Sequence, residues 1–528
     1  MITLSQARTK RLLAVHGWSG TILGLVLYVV IVTGAVAVMA MEIGRWSAGG
    51  QDAGDALGPG LHERVTAIAQ TVKPEYSEDV SIYPNSAGHL IVFFHTHAMN
   101  ASGVPDDLGQ MVEIVPSTGE EIMRREGYGS ELFGTDPLSA LDHFIIDLHV
   151  NLHLPEPWGL YATGILGLVM FLAAGTGLLV HRHLLKDIFV APRYSGALLH
   201  KRDRHVLAGS WSLIFAFVLA FTGSFLSFAG ALGLPIVAKT AFGGDQIAMF
   251  STMLGEMPEG DETPTPLGDL DRIVVDSTAR AGTVPDFIAI SHYGRADAIV
   301  TTTHAPVEGS IEAQNLVYSG ANGEFLNTKP VLGTVPSAGN VGFNLMSALH
   351  YGSFAGLISK FVWVSLGFAM AFVTLSGMRL WVQRRAENRL WRGFGRVITV
   401  MGYGLPIALT GAALGFFVGV PTDAMQMTTT LGFIVGCLPP IALGFLARLD
   451  EANLARLYRQ MLGTLLLLLP VLRMVTMGDG WGIITPIDPV VVMLDLIFGI
   501  AGASCLKPLR LWRGRTIEVA QEATVPAE

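Results

Sequence analysis

Two histidines open two long apolar segments of this chain in the same way. His16 begins the run HGWSGTILGLVLYVVIVTG, and His205 begins HVLAGSWSLIFAFVLAFTG. A glycine follows each histidine after four residues and again after eighteen: Gly20 and Gly209, then Gly34 and Gly223. Because eighteen residues make about five turns of an α-helix, each histidine and its glycines are predicted to share one helix face. Such a face suits a flat cofactor, and haem is the natural candidate because imidazole is a common iron ligand.

The composition predicts a membrane protein. Of 528 residues, 51% are hydrophobic and only 15% are charged, whereas a soluble protein has about one quarter charged residues. The two cysteines, Cys437 and Cys505, lie in apolar runs, and the sequence has no CxxCH motif for covalent haem attachment. Any haem is therefore expected to be b-type, probably two per chain by the pairing described below. No metal other than haem iron and no nucleic-acid partner is expected.

Eight apolar runs are long enough to cross a lipid bilayer, which takes about 20 residues. They lie near 15–41, 157–181, 206–232, 350–381, 396–420, 426–447, 460–477 and 486–506. Lysine and arginine are concentrated on one side of these runs. The positive-inside rule then predicts a multi-pass protein of the bacterial inner membrane with both termini in the cytoplasm.

Two long segments, 42–156 and 233–349, fall on the periplasmic side and contain strand-like pieces in a similar order. The predicted fold is mainly α, with about eight transmembrane helices, two periplasmic α+β modules and a tandem duplication across the first four helices. The corresponding regions are 1–41, 42–156, 157–204, 205–232, 233–349, 350–395 and 396–528, the last being a C-terminal four-helix membrane region with a cytoplasmic tail.

Four histidines occupy positions related by the duplication. His16 and His205 lie at the inner ends of the first and third spans, and His149 and His350 precede the second and fourth spans at their outer ends. This arrangement predicts an inner and an outer bis-histidine haem, each with one ligand from each repeat. Gly34, about 27 Å from His16 along a straight helix, is predicted to make room for the outer haem, as is Gly223.

Other histidines compete for these roles. His153 shares a helix face with His149, and His181 and His183 lie at the inner end of the second span. Strand alternation places His89, His95 and His97 on one face, where a metal site is conceivable but a solvated face is the preferred interpretation. No histidine follows His350, so the C-terminal spans have no imidazole to bind iron.

Four segments resemble the helices of the PepSY-associated transmembrane family. They begin at RLLAVHGWSG, DLHVNLHL, DRHVLAGSWS and ALHYGSFAGL, and the outer segments, with their STGE and ANGE turns, resemble PepSY-like domains. The resemblance implies a b-type haem protein of the ferric-siderophore reductase kind. It would pass electrons from a cytoplasmic or quinol donor to a periplasmic ferric-siderophore or another periplasmic acceptor, which makes an oxidoreductase activity an expectation.

Residues near the two ends of the spans could assist this chemistry. The basic group Arg11, Arg202 and Arg204 is expected to neutralise haem propionates or dock a donor. The aromatic group Trp158, Tyr161, Tyr351 and Phe354 could line the acceptor side, although an interfacial aromatic belt is the simpler interpretation. The alternative function is a non-redox transporter or export-accessory protein, in which the intramembrane charges of Arg473 and Asp495 form a relay.

Overall fold

The chain is described by a computed structural model. The structure describes residues 5–49, 55–100, 105–181, 189, 192, 197–245, 248–249, 252, 260–478 and 488–507. The helices are α1 (Gln6–Ile22), α2 (Gly24–Ala37), α3 (Ala40–Ser47), α4 (Leu61–Ala69), α5 (Gly129–Leu132), α6 (Ala140–Val150), α7 (Trp158–Val180), α8 (Ala197–Trp211), α9 (Leu213–Phe228), α10 (Leu234–Ala241), α11 (Leu270–Ala281), α12 (Ala338–Tyr351), α13 (Gly356–Gln383), α14 (Arg389–Gly419), α15 (Met425–Phe445), α16 (Glu451–Met477) and α17 (Pro489–Leu506). The strands are β1 (Asp79–Pro84), β2 (Leu90–Met99), β3 (Pro105–Ile114), β4 (Glu121–Tyr128), β5 (Pro285–Ser291), β6 (Ile299–His304), β7 (Gln314–Ser319) and β8 (Phe325–Pro330).

Within the described residues, seven helical stretches are long and apolar enough to cross a membrane, and the pair α1 and α2 makes eight if it forms one bent span. The seven are 158–180, 213–241, 356–383, 389–422, 425–445, 451–477 and 489–506. They match the runs predicted from the sequence, so the prediction of a multi-pass membrane protein is confirmed.

The first span is not the continuous helix that the spacing of His16 and Gly34 predicts. Helices α1 and α2 meet at Leu23 with a bend of 68°. Glycines flank the break, and the hydroxyl of Thr21 donates to the carbonyl oxygen of Gly17 at 2.6 Å, a combination that is typical of kinks. The straight-helix separation of about 27 Å is therefore wrong. The corresponding helix of the second repeat is also interrupted, at Ser212 between α8 and α9.

The eight strands form one antiparallel sheet in the order β4-β3-β2-β1-β5-β6-β7-β8. Each outer segment contributes four consecutive strands, and the two sets join where β1 pairs with β5. Helices α4 and α11 pack against one face of this sheet and share a hydrophobic core with it, which includes Leu61, Leu270 and Ile290. The two segments predicted as separate modules thus share a single sheet and a single core.

The helices of the duplicated region pack around the histidines. Helix α1 lies against α7, α8 against α13, α2 against α6, and α9 against α12. The C-terminal helices pack beside this group, mainly with α14 against α15 and α16 against α17. Helix α17 also contacts α3, where the buried indole of Trp46 donates to Asp495 at 2.7 Å.

Candidate cofactor site

The structure brings the four repeat-related histidines together in two pairs. The far-side pair, defined as His16 of α1 and His205 of α8, has ring centroids 6.4 Å apart. The sheet-side pair, His149 of α6 and His350 of α12, has ring centroids 6.2 Å apart. It lies at the sheet end of the bundle, because α6 also contacts the sheet through Asp142. Each pair takes one histidine from each repeat, as the sequence predicts.

Both separations suit two imidazoles on opposite sides of one metal ion. A bond from a metal to a histidine nitrogen is about 2.0–2.1 Å long, so two such nitrogens lie about 4 Å apart and their ring centroids about 6 Å apart. The planes of the far-side rings differ by 68° and those of the sheet-side rings by 23°. Axial ligation fixes the direction of each imidazole but leaves it free to rotate about the bond, so both angles fit.

Backbone carbonyls orient three of the four rings. Nδ1 of His16 lies 2.9 Å from the carbonyl oxygen of Ala173, and Nδ1 of His205 lies 3.1 Å from that of Val373. Nδ1 of His149 lies 3.0 Å from the carbonyl oxygen of Val30. A carbonyl only accepts hydrogen bonds, so Nδ1 donates in each neutral ring and leaves the lone pair of Nε2 for a metal, as in most histidine metal ligands.

The ring of His350 reaches the same tautomer through a hydroxyl. Its Nδ1 lies 3.0 Å from Oγ1 of Thr222, and that hydroxyl donates its own hydrogen to the carbonyl oxygen of Val218 at 2.8 Å. The hydroxyl therefore accepts from Nδ1 of His350. Across the residues that the structure describes, Nε2 of none of the four histidines has a hydrogen-bond partner.

Each ring also packs against a glycine of the neighbouring helix. A Cβ on Gly34 would lie 2.6 Å from Cε1 of His149, and one on Gly223 would lie 3.0 Å from Cε1 of His350. The far-side rings have the equivalent neighbours, Gly177 at 3.3 Å from His16 and Gly377 at 3.1 Å from His205. Any larger residue at these four positions would push an imidazole out of place.

The residue before each of these glycines is a threonine or a serine. Thr176 Oγ1 lies 3.2 Å from Nδ1 of His16, and Ser376 Oγ lies 3.0 Å from Nδ1 of His205. Sequence reasoning found Thr33-Gly34 and Thr222-Gly223 but missed Thr176 and Ser376. The signal was present, because a Thr-Gly or Ser-Gly pair recurs in all four helices of the duplicated region.

The remaining predicted glycines leave space beside the far-side pair. A Cβ on Gly20 would meet nothing within 4 Å, and one on Gly209 would meet only a methyl group of Val373 at 3.8 Å. Each lies one helical turn after its histidine. The donor set, the ring separations and these bare surfaces together fit a planar group held between imidazoles.

The competing histidines lie elsewhere. His153 adopts a left-handed backbone conformation, forms an ion pair with Asp147 and packs its ring against Phe144, with ring centroids 4.4 Å apart. His181 follows the last residue of α7, and His183 lies outside the described residues. His153 therefore belongs to neither pair.

The basic and aromatic candidates lie at the surface. Arg11 and Arg202 are exposed, while Arg204 places its guanidinium 5.3 Å from the ring centroid of Phe372 and lines an open cavity of about 590 Å³ next to His205. The aromatic group includes the exposed Trp158 and Tyr161, whose rings pack 5.9 Å apart, the exposed Tyr351, and Phe354, which packs on Trp363 at 5.1 Å. The exposed aromatics are consistent with an interfacial belt.

The two intramembrane charges of the alternative function pair with each other. Arg473 Nη2 lies 2.7 Å from Oδ2 of Asp495, and both side chains are fully buried. The indole of Trp46 donates to the other oxygen of the same carboxylate. A charge pair with this many partners holds helices α3, α16 and α17 together.

The histidines of strand β2 do not form one group. His89 lies apart, with Nδ1 2.7 Å from Oε1 of Glu113. His95 is only 6% exposed, so the prediction of a solvated strand face is wrong at this position. Hydrogen bonds from His97 to Asp107 and Asp79 raise the pKa of His97 to about 10.

These features define a multi-span membrane protein in which a duplicated helical unit presents histidines in pairs. The family model described as PepSY-associated TM region matches residues 13–384, and the chain belongs to this family. An uncharacterised protein of Pseudomonas aeruginosa is 28% identical to this chain over 271 residues. That match covers 47% of this chain and 65% of the relative, so the chain spans just under two thirds of the length of the relative.

Proposed function

We propose that this protein carries electrons through the membrane on two b-type haems. The observation that supports the proposal most directly is the pairing of four histidines across the repeats, at ring separations of 6.4 and 6.2 Å. When bound, haem supplies one-electron oxidation and reduction. Two such sites, one near each end of the helical bundle, would give an electron a path along the duplicated helices.

The residues of the chain have distinct parts in this proposal. His16 and His205 hold one haem iron through Nε2, and His149 and His350 hold the other. Carbonyl and hydroxyl groups on the neighbouring helices accept from Nδ1–H, which fixes the orientation of each ring and raises the basicity of Nε2. The glycines beside the rings keep the imidazoles close to their helices.

We further propose a ferric-siderophore or another periplasmic ferric chelate as the electron acceptor. Reduction adds one electron to Fe(III), and siderophores hold the resulting Fe(II) far less tightly, so the iron is released. The electron comes from a cytoplasmic reductant or from the quinone pool. The sheet and the sheet-side pair lie at the same end of the molecule, which is the arrangement that an acceptor bound near the sheet would need. This part of the proposal places the protein in a bacterial inner membrane.

Haem quantification tests the proposal. Protein purified in detergent from haem-replete cells is expected to contain two haems per chain by pyridine haemochrome, with the reduced spectrum of bis-histidine ligation. His16→Ala and His350→Ala should each lose one haem, from different pairs. His153→Ala is the matched control, because this histidine also follows α6 but belongs to neither pair. A colourless protein, or equal haem content in all variants, would contradict the proposal.

A further inference from the structure

A second group of histidines and carboxylates lies on the sheet, on the face opposite helices α4 and α11. Strand β2 contributes His95 and His97, which point to the same side because they are two residues apart. The neighbouring strands place an aspartate opposite each of them: Asp79 of β1 pairs in register with His95, and Asp107 of β3 pairs with His97. Strand pairing therefore fixes four potential metal ligands on three adjacent strands.

The ligand atoms lie close together. One atom each from Asp79, His95 and His97 falls within 4.8 Å of the other two. Oδ2 of Asp79 lies 3.2 Å from Nε2 of His97. Oδ1 of Asp107 lies 2.7 Å from Nδ1 of His97 and 3.5 Å from Nδ1 of His95. Small side-chain rotations would bring all four groups to metal-binding distance.

The inner member of the group has unused binding capacity. His95 is buried, and its ring stacks on Phe93 with centroids 4.7 Å apart, so its position is set by the core. Its Nδ1 is buried, and no described residue forms a hydrogen bond with it. Asp79 is also fixed, because its Oδ1 accepts from the backbone N–H of His292 at 3.0 Å. The outer member, His97, is two-thirds exposed, which leaves a path for an ion from solvent.

We propose that Asp79, His95, His97 and Asp107 bind a divalent first-row transition-metal ion. Imidazole nitrogens and carboxylate oxygens in this ratio suit ions such as Zn²⁺ and Fe²⁺. Two aspartates and two neutral histidines would balance the charge of the ion. Binding would exchange the present contacts between aspartate and histidine for bonds to the metal, and it would tie β1, β2 and β3 together.

This site is separate from the two histidine pairs of the membrane helices. It lies six residues along β2 from His89, which at about 3.3 Å per residue is about 20 Å. The hairpin before His89 is the part of the sheet that contacts α6, through Ser86 and Asp142 at 2.7 Å. The metal proposal therefore stands or falls independently of the haem proposal.

Zinc binding by the full-length, untagged protein tests the proposal. After treatment with a chelator and dialysis against Zn²⁺, elemental analysis is expected to give one zinc per chain, counted separately from iron. His95→Ala should weaken Zn²⁺ binding by more than about tenfold, because even indirect partners of a metal commonly change affinity by that factor. Zn²⁺ should also raise the midpoint of thermal unfolding of the wild-type protein but not of the variant.

Two further variants keep the test decisive. Asp107→Asn retains the shape of the side chain and should lose zinc even if His95→Ala unfolds. His89→Gln is the matched control: it removes a histidine that is paired with a carboxylate on the same hairpin but is remote from the site, and it should keep the zinc. The proposal is wrong if wild-type protein takes up no zinc, or if Asp107→Asn holds as much as His89→Gln.

Discussion

Glycine serves two different purposes in the two halves of the membrane region. In the duplicated helices, a side chain on Gly34 or Gly177 would meet the imidazole of His149 or His16. In the C-terminal helices, a Cβ on Gly411 would lie 2.6 Å from the backbone oxygen of Gly432 on the facing helix. One region uses glycine to fit rings between helices, whereas the other uses it to bring two backbones into contact. The same composition thus encodes a cofactor site in one region and close helix packing in the other.

The largest expected effect comes from filling the backbone contact. Gly411→Val places a branched side chain against the main chain of α15, which has no side-chain rotation to relieve the clash. We expect a loss at or above the upper end of the ~1–3 kcal/mol typical of overpacked cores. Thermal unfolding in detergent measures it, and Gly499→Val is the control because a Cβ there meets nothing within 4 Å. Equal midpoints for the two variants would remove the distinction between the regions.

A smaller but more specific effect is expected from Gly34→Ala. The added methyl would lie 2.6 Å from Cε1 of His149, so the ring must turn away from its metal-binding position. Haem content should fall by about one of two per chain, while the unfolding midpoint changes little because an imidazole can move more easily than a backbone. Gly175→Ala, whose Cβ would approach Phe217 no closer than 4.0 Å, should keep both haems. Full haem content in Gly34→Ala would show that this glycine does not position the ring.

The smallest effects separate the two pairs from each other. Thr222→Val removes the hydrogen-bond partner of Nδ1 in His350, whereas Ser376→Ala leaves His205 its contact with the carbonyl oxygen of Val373. We expect Thr222→Val to weaken haem binding at the sheet-side pair by about tenfold or more, and Ser376→Ala to have a lesser effect at the far-side pair. Haem titration of the apo-protein measures both, and a larger effect of Ser376→Ala would reverse the assignment.

The sequence carries the spans and the histidines because both depend on local spacing. Apolar length predicts a helix that crosses the bilayer, and the duplication repeats His16 at His205 and His149 at His350. The bend at Leu23 is less visible, because glycine and serine weaken a helix without fixing the angle of a kink.

The pairing of strands between the two outer segments is hidden from a local reading. Ile82 of β1 pairs with Ile288 of β5, more than two hundred residues away, and strand alternation does not say which strands become neighbours. The burial of His95 escaped prediction for the same reason: it depends on stacking with Phe93 and on the neighbouring strands that enclose it.

The seam between β1 and β5 has a consequence for the ancestry of the chain. One repeat alone would leave the backbone groups of that edge strand unpaired, and exposed edges attract other strands. The antiparallel pairing at the seam is of the kind that two identical subunits form about a two-fold axis. An ancestor of half this length would have satisfied the edge by dimerising, and fusing its two genes would have made that dimer permanent.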